Sequence, residues 1–372
     1  MSLRITDIHL HNFRSYEDFR LEGIGDLTIL AGPNAAGKTN AIEALQLLTA
    51  TSSFRNATGT ELVRRGEGTA RISCSVTDGQ RELDRALAIS EGKRTYMLNG
   101  KRRRPKDLRG TLPSVTFTPD DLNLAKGSDR VRRHELDLVG SQVNANYYQI
   151  VRDYEKILRH KNRLLADEAP SALLDATNEL FAKIGEQLTS YRRALFARLE
   201  PKIAAHYASI SGGREPLTAD YRASFETDDT KAEAAHDVAT SGTVSLPTSV
   251  STLRAAIEAC QGDERRRHRA LVGPHLDAVR ISLDGLDSTK FASQGQQRSI
   301  VLSIKLAEAE VIEDILDQLP VLLLDDVMSE LDAQRRAALV ETLLEGKQAF
   351  ITTAHVDYFD TEMLDRARLV EL

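Results

Sequence analysis

The stretch GPNAAGKT, from Gly32 to Thr39, constrains this chain more than any other feature. It satisfies G-x-x-x-x-G-K-T, and each fixed position has a mechanical reason. Gly32 and Gly37 let the backbone curl so that successive N–H groups face a di- or triphosphate. Pro33, Asn34, Ala35 and Ala36 are the body of that loop. Lys38 reaches the β- and γ-phosphates, and the Thr39 hydroxyl can sit on Mg²⁺. The context agrees: the apolar run Leu27–Ala31 predicts a buried strand. Asn40–Leu48 predicts a helix whose N-terminus faces the phosphates. ATP and Mg²⁺ are the expected cofactors.

A phosphate loop needs a metal-holding acid and a group that activates water. The run VLLLDD, Val321–Asp326, has the form of a buried strand ending in both. Its acids fall at the carboxyl end, where parallel sheets bind ligands. Asp325 is the expected Mg²⁺ partner and Asp326 the candidate that orients the attacking water; the plain alternative is an Asp turn or helix cap. Upstream, SQGQQR contributes Ser293, Gln294, Gly295 and Gln296 just before a helix over 296–315. These groups suit a γ-phosphate. A second phosphate-grasping turn is redundant within one chain, so it points to the nucleotide of another subunit in a two-fold dimer. The alternative is that Ser293 is simply an N-cap. The SELD turn, Ser329–Asp332, would then meet its counterpart. His355, just past the strand Ala349–Thr353, is a candidate sensor; Thr352 and Thr353 compete for that position.

Because the acid pair lies far downstream of the loop, the nucleotide-binding lobe is split in sequence. The first ~125 residues read as strand-rich. Arg4–Phe13 alternates, and Tyr96–Leu98, Asn99-Gly100 and Lys101 onward read as a hairpin with a type I′ turn. A helix at Tyr147–Leu165 and a longer one with apolar residues from Leu173 to Ile203 follow, the second mildly interrupted at Gly185 and Pro201. Joined by a short turn, they should pack antiparallel. Residues 222–250 read as loop, and Thr252–Arg269 as helix.

The chain has 372 residues, a formal net charge of −6 and two cysteines, Cys74 and Cys260, without metal-ligand spacing. No apolar run approaches the ~20 residues of a membrane span. The alternating N-terminus is unlike a signal peptide. A reducing cytoplasm fits. Basic clusters nevertheless occur at Lys101, Arg102, Arg103, Arg104 and Lys106, at Arg130–Arg133, at Arg152–Arg163 and at Arg265–Arg269. They suit a phosphate backbone, with affinity falling steeply in salt. Aromatics are not interleaved, so backbone contact outranks base reading; the alternative is solvated faces.

Together these motifs resemble the RecF family of bacterial recombination-repair ATPases. The resemblance is carried by HNFRSY (11–16), GPNAAGKTNAIEAL (32–45), SSFR (52–55), TFTPDDL (116–122), GPHLDA (273–278), SQGQQR (293–298) and LLLDDVMSELD (322–332). It implies an α/β fold: an ABC-type P-loop ATPase head, lobe I, at 1–125 and 272–372, with a mainly α-helical lobe II inserted at 126–271. It implies ATP-dependent homodimerisation on DNA at gaps or single-/double-strand junctions. Slow DNA-dependent hydrolysis would act as a timer, in work with RecR and RecO that loads RecA. By the same resemblance Lys38 and Thr39 bind phosphate and Mg²⁺, Asp325 binds Mg²⁺, and Asp326 is catalytic. Ser293–Gln296 act in trans, and Asn12 and Arg14 flank the nucleotide. The chain departs from the family at Leu276, usually Arg, and Ala278, usually an acid. Asp326 stands where ABC heads more often have Glu, and Asp120 and Asp121 where transporters carry a glutamine contact. The competing functional class is the ATPase subunit of a membrane transporter, which the helical insertion and SQGQQR disfavour. A structural SMC-like tether would need longer helices.

Overall fold

The computed structural model of the chain describes residues 2–226, 250–344, 346–359 and 361–372. Of the loop expected at 222–250, residues 227–249 lie outside the described residues. The strands in chain order are β1 (Arg4–Phe13), β2 (Tyr16–Glu22), β3 (Leu27–Ala31), β4 (Thr69–Thr77), β5 (Glu82–Ser90), β6 (Lys93–Leu98), β7 (Lys101–Arg103), β8 (Ser114–Phe117), β9 (Leu217–Arg222), β10 (Ala278–Leu283), β11 (Leu286–Asp287), β12 (Val321–Asp325), β13 (Ala349–Thr353) and β14 (Ala367–Glu371). The longer helices are α1 (Lys38–Thr49), α2 (Asp129–Val143), α3 (Ala145–Ala166), α4 (Ser171–Ser211), α5 (Val250–Arg267), α6 (Gln294–Leu316) and α7 (Ala333–Leu344).

Two compact units result. The first comprises Met1–Ala125, Ala205–Arg214 and Ser293–Leu372; the second comprises Lys126–Ala204 and Glu215–Ala292. Two segments fall on the other side of the division expected from sequence. Residues 272–292 join the helical unit because β10 pairs antiparallel with β9 along its whole length. Residues 205–214 join the first unit. There the His206 ring lies 3.1 Å from Glu310 of α6, and Gln334 of α7 donates to the Ile210 carbonyl at 2.8 Å.

The first unit holds a five-stranded parallel sheet, in the order β14-β3-β13-β12-β8, and a six-stranded antiparallel sheet, β2-β1-β4-β5-β6-β7. Every residue of β3, β12 and β13 is buried, as near-continuous apolar runs in a covered parallel sheet must be. The antiparallel sheet instead alternates; β4 shows it most clearly. Its last hairpin turns on Asn99 and Gly100, both at positive φ (50° and 71°), the type I′ geometry those residues favour.

In the second unit α3 and α4 pack antiparallel. Tyr147 stacks on Tyr191, Tyr154 on Phe181, and Leu165 clusters with Leu174, so one helix descends as the other rises. Helix α4 runs unbroken through Gly185 and Pro201. The turn GPHLDA is a buried keystone of this unit. Gly273 has φ 127°, and a Cβ there would lie 2.7 Å from the Tyr154 hydroxyl. Asp277 is fully buried; it accepts from the Ser224 amide at 2.8 Å and from the Tyr221 hydroxyl. Arg192 bridges Asp137 in bidentate fashion and donates to the Pro274 carbonyl. The His275 ring, on the Tyr154 hydroxyl at 2.7 Å, is held neutral by burial, its pKa pushed down to about 4. Leu276 is the residue this turn presents to solvent.

Candidate nucleotide-binding site

The parallel sheet brings the motifs together because their strands are neighbours. Ala31 pairs with Thr353 and Asp325 with Thr352. The loop after β3, the TTAH segment after β13, the acid pair ending β12 and the TPDD segment after β8 therefore emerge in a row at one carboxyl edge. That edge is where open parallel sheets bind ligands.

Residues 32–37 link β3 directly to α1. Gly37 has φ 105°, and a Cβ there would come within 3.0 Å of Ser15 Oγ and the Tyr16 phenol, so the loop turns left-handed and the segment Ser15–Tyr16 packs directly against the bare glycine. Pro33, Asn34 and Ala35 are exposed, with Gly32 and Ala36 half-buried. Lys38 is 8% exposed, and its ammonium donates to the Gly32 and Pro33 carbonyls at 2.7 and 2.8 Å. The lysine is thus folded over the loop whose anion it would share.

Thr39 Oγ1 donates to Asp325 Oδ1 at 2.9 Å, and Thr352 Oγ1 donates to the same oxygen at 2.8 Å. Asp325 is 6% exposed. Burial raises its carboxyl pKa, while the two threonine hydroxyls and the charge of Arg55 oppose that rise. A threonine hydroxyl and a carboxylate in contact are hard oxygen donors of the kind Mg²⁺ takes beside phosphate oxygens. With the left-handed turn at Gly37 and the lysine folded onto the loop, they fit a Mg²⁺–nucleoside triphosphate.

Asp326 follows with φ 54°. Left-handed backbone at a non-glycine residue costs about 1–2 kcal/mol. It is held here by its amide on Thr352 Oγ1 at 2.9 Å and by Ser329 Oγ on its carbonyl at 2.8 Å. Its carboxylate has no hydrogen-bond partner among the described residues and is partly open to solvent. Thr352 and Thr353 are fully buried. Thr353 Oγ1 bonds the His355 carbonyl, leaving His355 as the exposed side chain of that segment. Asp121 caps its own turn on the Thr118 amide at 2.6 Å, while Asp120 is exposed.

Ser293 is an N-cap: its hydroxyl accepts from the Gln296 amide and Gln296 Oε1 accepts from the Ser293 amide, a full capping box. Ser293 and Gln294 are exposed, and Gly295 and Gln296 half-buried, at the start of a 23-residue helix. The N-cap reading and a turn open to an outside anion hold together here.

Asn12 and Arg14 both have positive φ (50° and 54°) in the β1–β2 region. Asn12 is half-buried, with its amide 3.5 Å from the His11 ring. Arg14 makes two bonds to Glu43 of α1, at 2.9 and 2.8 Å, and one to the Glu61 carbonyl at 2.7 Å. The guanidinium expected beside the nucleotide therefore clamps its turn to the helix that follows the phosphate loop. Sequence reasoning did not single out Arg55, which donates to Asn40 Oδ1 at 2.9 Å and whose charge reaches Asp325. The quoted SSFR segment was the only signal for it.

The basic clusters mix exposed and engaged members: Arg130, Arg152, Lys156, Arg159 and Arg163 are exposed. Arg132 is buried on the Gly127 carbonyl and Asp129, Arg133 donates to the Asp277 carbonyl, and Lys161 forms a fully buried pair with Glu264. Lys101, Arg102, Arg103 and Arg104 are all exposed on the edge strand β7 and the turn after it. Arg94 and Tyr96 of β6 join Arg102, Arg103 and Arg104 in lining one open cleft. Arg265, Arg266, Arg267 and Arg269 are exposed as well.

Comparison with known proteins adds a family. A profile described as the RecF/RecN/SMC N terminal domain matches residues 4–370. The DNA replication and repair protein RecF of Synechococcus sp. (strain JA-3-3Ab) is 36% identical over 374 residues, covering 98% of this chain and 95% of that protein. The protein of the same name from Staphylococcus aureus (strain JH9) is 32% identical over 376 residues, covering 100% and 98%. Among solved structures, the ATP complex of the recombination mediator RecF in the RecFOR pathway superposes with a TM-score of 0.86 at 28% identity, covering 96% of this chain and 94% of that one. An Smc head bound to the C-winged helix domain of ScpA has a TM-score of 0.55 at 14% identity, covering 99% and 93%, which shows a shared fold.

Proposed function

The chain belongs to the RecF proteins of the RecF/RecN/SMC family, and from that membership we propose that it is an ATP-driven switch acting on DNA in recombinational repair and replication restart. The observation that carries the reading is the 2.9 Å bond from Thr39 to Asp325, which ties the phosphate loop to an acid 286 positions away. Gly32 to Thr39 hold the phosphates, with Lys38 turning from loop carbonyls to the anion. Mg²⁺, held by Thr39 and Asp325, offsets phosphate charge when bound. Asp326 orients the attacking water. Its carboxylate, one methylene shorter than glutamate, suits slow turnover stimulated by DNA, so hydrolysis works as a timer.

Ser293, Gln294, Gly295 and Gln296 serve the nucleotide of a second copy. ATP therefore closes a homodimer and hydrolysis reopens it. His355 reports on the γ-phosphate. RecR and RecO are the partners and gapped or junction DNA the substrate, with RecA loading the outcome, in the cytoplasm. No helix among the described residues is long and apolar enough to cross a membrane. The transporter reading has no support from the relatives, which are replication and repair proteins.

The exposed strip Lys101–Arg104 is the DNA surface. Edge strands carry such charges against edge-to-edge pairing too, so the test must read phosphate contacts directly. Changing Arg102, Arg103 and Arg104 together to Gln is expected to weaken DNA binding at least tenfold near 100 mM salt. It should also cut the slope of log affinity against log salt by about 2.7, at roughly 0.9 for each of three phosphate contacts. Titrations over a salt series, with and without ATP, measure both. An unaltered slope would move the DNA surface to another of the exposed basic clusters. Salt-independent, ATP-indifferent binding by the wild type would contradict the DNA-switch reading.

A further inference from the structure

The turn joining β1 to β2 is bolted to α1 by two of its three polar side chains. Arg14 holds Glu43, and Ser15 Oγ accepts from Asn40 Nδ2 at 2.9 Å. The third, Tyr16, differs. Its ring packs against Phe19 with centroids 4.9 Å apart, and its hydroxyl oxygen is shielded from solvent without a hydrogen-bond partner among the described residues. That hydroxyl lies against Gly37, 3.0 Å from where a Cβ would stand. A buried, unpartnered hydroxyl lowers stability, and phenylalanine would fill the same space without that penalty.

We propose that Tyr16 is a nucleotide-positioning residue whose hydroxyl donates to a phosphate oxygen of the nucleoside di- or triphosphate held by the loop at Gly37. The proposal rests on the nucleotide-binding reading of that loop and adds a donor from outside it. Three observations converge on it. The phenol occupies the space opened by the missing Gly37 side chain, so it borders the segment whose amides face the anion. The neighbouring polar side chains of the turn already have partners within the protein. Burial also holds the phenol's pKa up at about 12, so the group remains a proton donor throughout the physiological range. A hydroxyl donating to an ionised oxygen makes one of the stronger neutral-donor hydrogen bonds.

Tyr16→Phe in the full chain tests this, since it removes one atom and keeps the ring. Calorimetric titration with Mg-ATP and with Mg-ADP is expected to show both affinities reduced about tenfold. The nucleotide-free melting temperature should be equal or higher, and the stabilisation by saturating nucleotide smaller. A merely packing hydroxyl would raise the nucleotide-free melting temperature and leave both affinities within twofold of wild type, and that result overturns the proposal. Failure of the wild type to bind either nucleotide would overturn the nucleotide reading itself, and the inference with it.

Discussion

Asp326→Asn is expected to lower ATP turnover by at least a hundredfold while ATP binding stays within a few-fold of wild type. The substitution is isosteric, and asparagine tolerates the left-handed backbone that Asp326 adopts. The bonds that hold this position, its amide on Thr352 and its carbonyl under Ser329, involve no side-chain atom of residue 326. What is lost is a carboxylate with no other partner among the described residues. Removing a general base or water-orienting acid costs about 10²–10⁴ in rate. The charge of Asp326 is one cause of the raised Asp325 pKa. Neutralising it leaves Asp325 at least as ready to hold a cation, so binding should survive. Single-turnover hydrolysis beside equilibrium ATP binding separates the two quantities. Unchanged turnover would assign the water-orienting role to another residue.

The second large effect concerns the platform beneath the loop. Glu43 is fully buried in α1 and accepts two bonds from Arg14 and one from Ser53 at 2.6 Å, with Arg55 3.6 Å away. Glu43→Ala removes the acceptor and leaves the Arg14 guanidinium, 19% exposed, facing a cavity. Breaking a buried pair by deleting one partner costs ~3–5 kcal/mol, and relaxation of Arg14 toward water puts the expected loss near ~3 kcal/mol. Urea unfolding measures it as a lower midpoint. Glu43→Gln, which keeps one acceptor, should lose much less. If Glu43→Ala unfolded at the wild-type midpoint, the Arg14 clamp would be dispensable. Arg14 would then be free for the nucleotide-flanking role that its motif suggests.

The nucleotide-binding edge was legible in the sequence because each of its parts is local. A five-residue apolar run followed by GPNAAGKT, or by two aspartates, carries strand, strand end and chemistry in one window. The antiparallel pairing of α3 and α4 was legible from period and turn length. The rest depends on what each residue meets in three dimensions. Helix α2 escaped notice because its buried positions include Arg132 and Gln142, which blur an apolar stripe. The bond from Arg14 to Glu43, 29 positions away, has no local sequence signal. The residues 272–292 read with the ATPase lobe until β10 is seen paired to β9. Pro201 reads as a mild interruption, and α4 continues through it. Two of the basic clusters read as DNA surfaces although Arg132, Arg133 and Lys161 are engaged inside the second unit. Their neighbours Arg130, Arg152, Lys156, Arg159 and Arg163 are exposed, as Lys101–Arg104 are.

Pro33, Asn34 and Ala35 of the phosphate loop are exposed, and Ser293 and Gln294 stand exposed at the start of α6. The central claim is that these two facts are halves of one site shared between copies. Light scattering of wild type and Ser293→Arg, each with and without Mg-ATP, tests it most directly. The wild type should be monomeric without nucleotide and dimeric with ATP, whereas Ser293→Arg should bind ATP normally and remain monomeric. A Ser293→Arg protein that dimerised with ATP as readily as wild type would contradict the shared-site account.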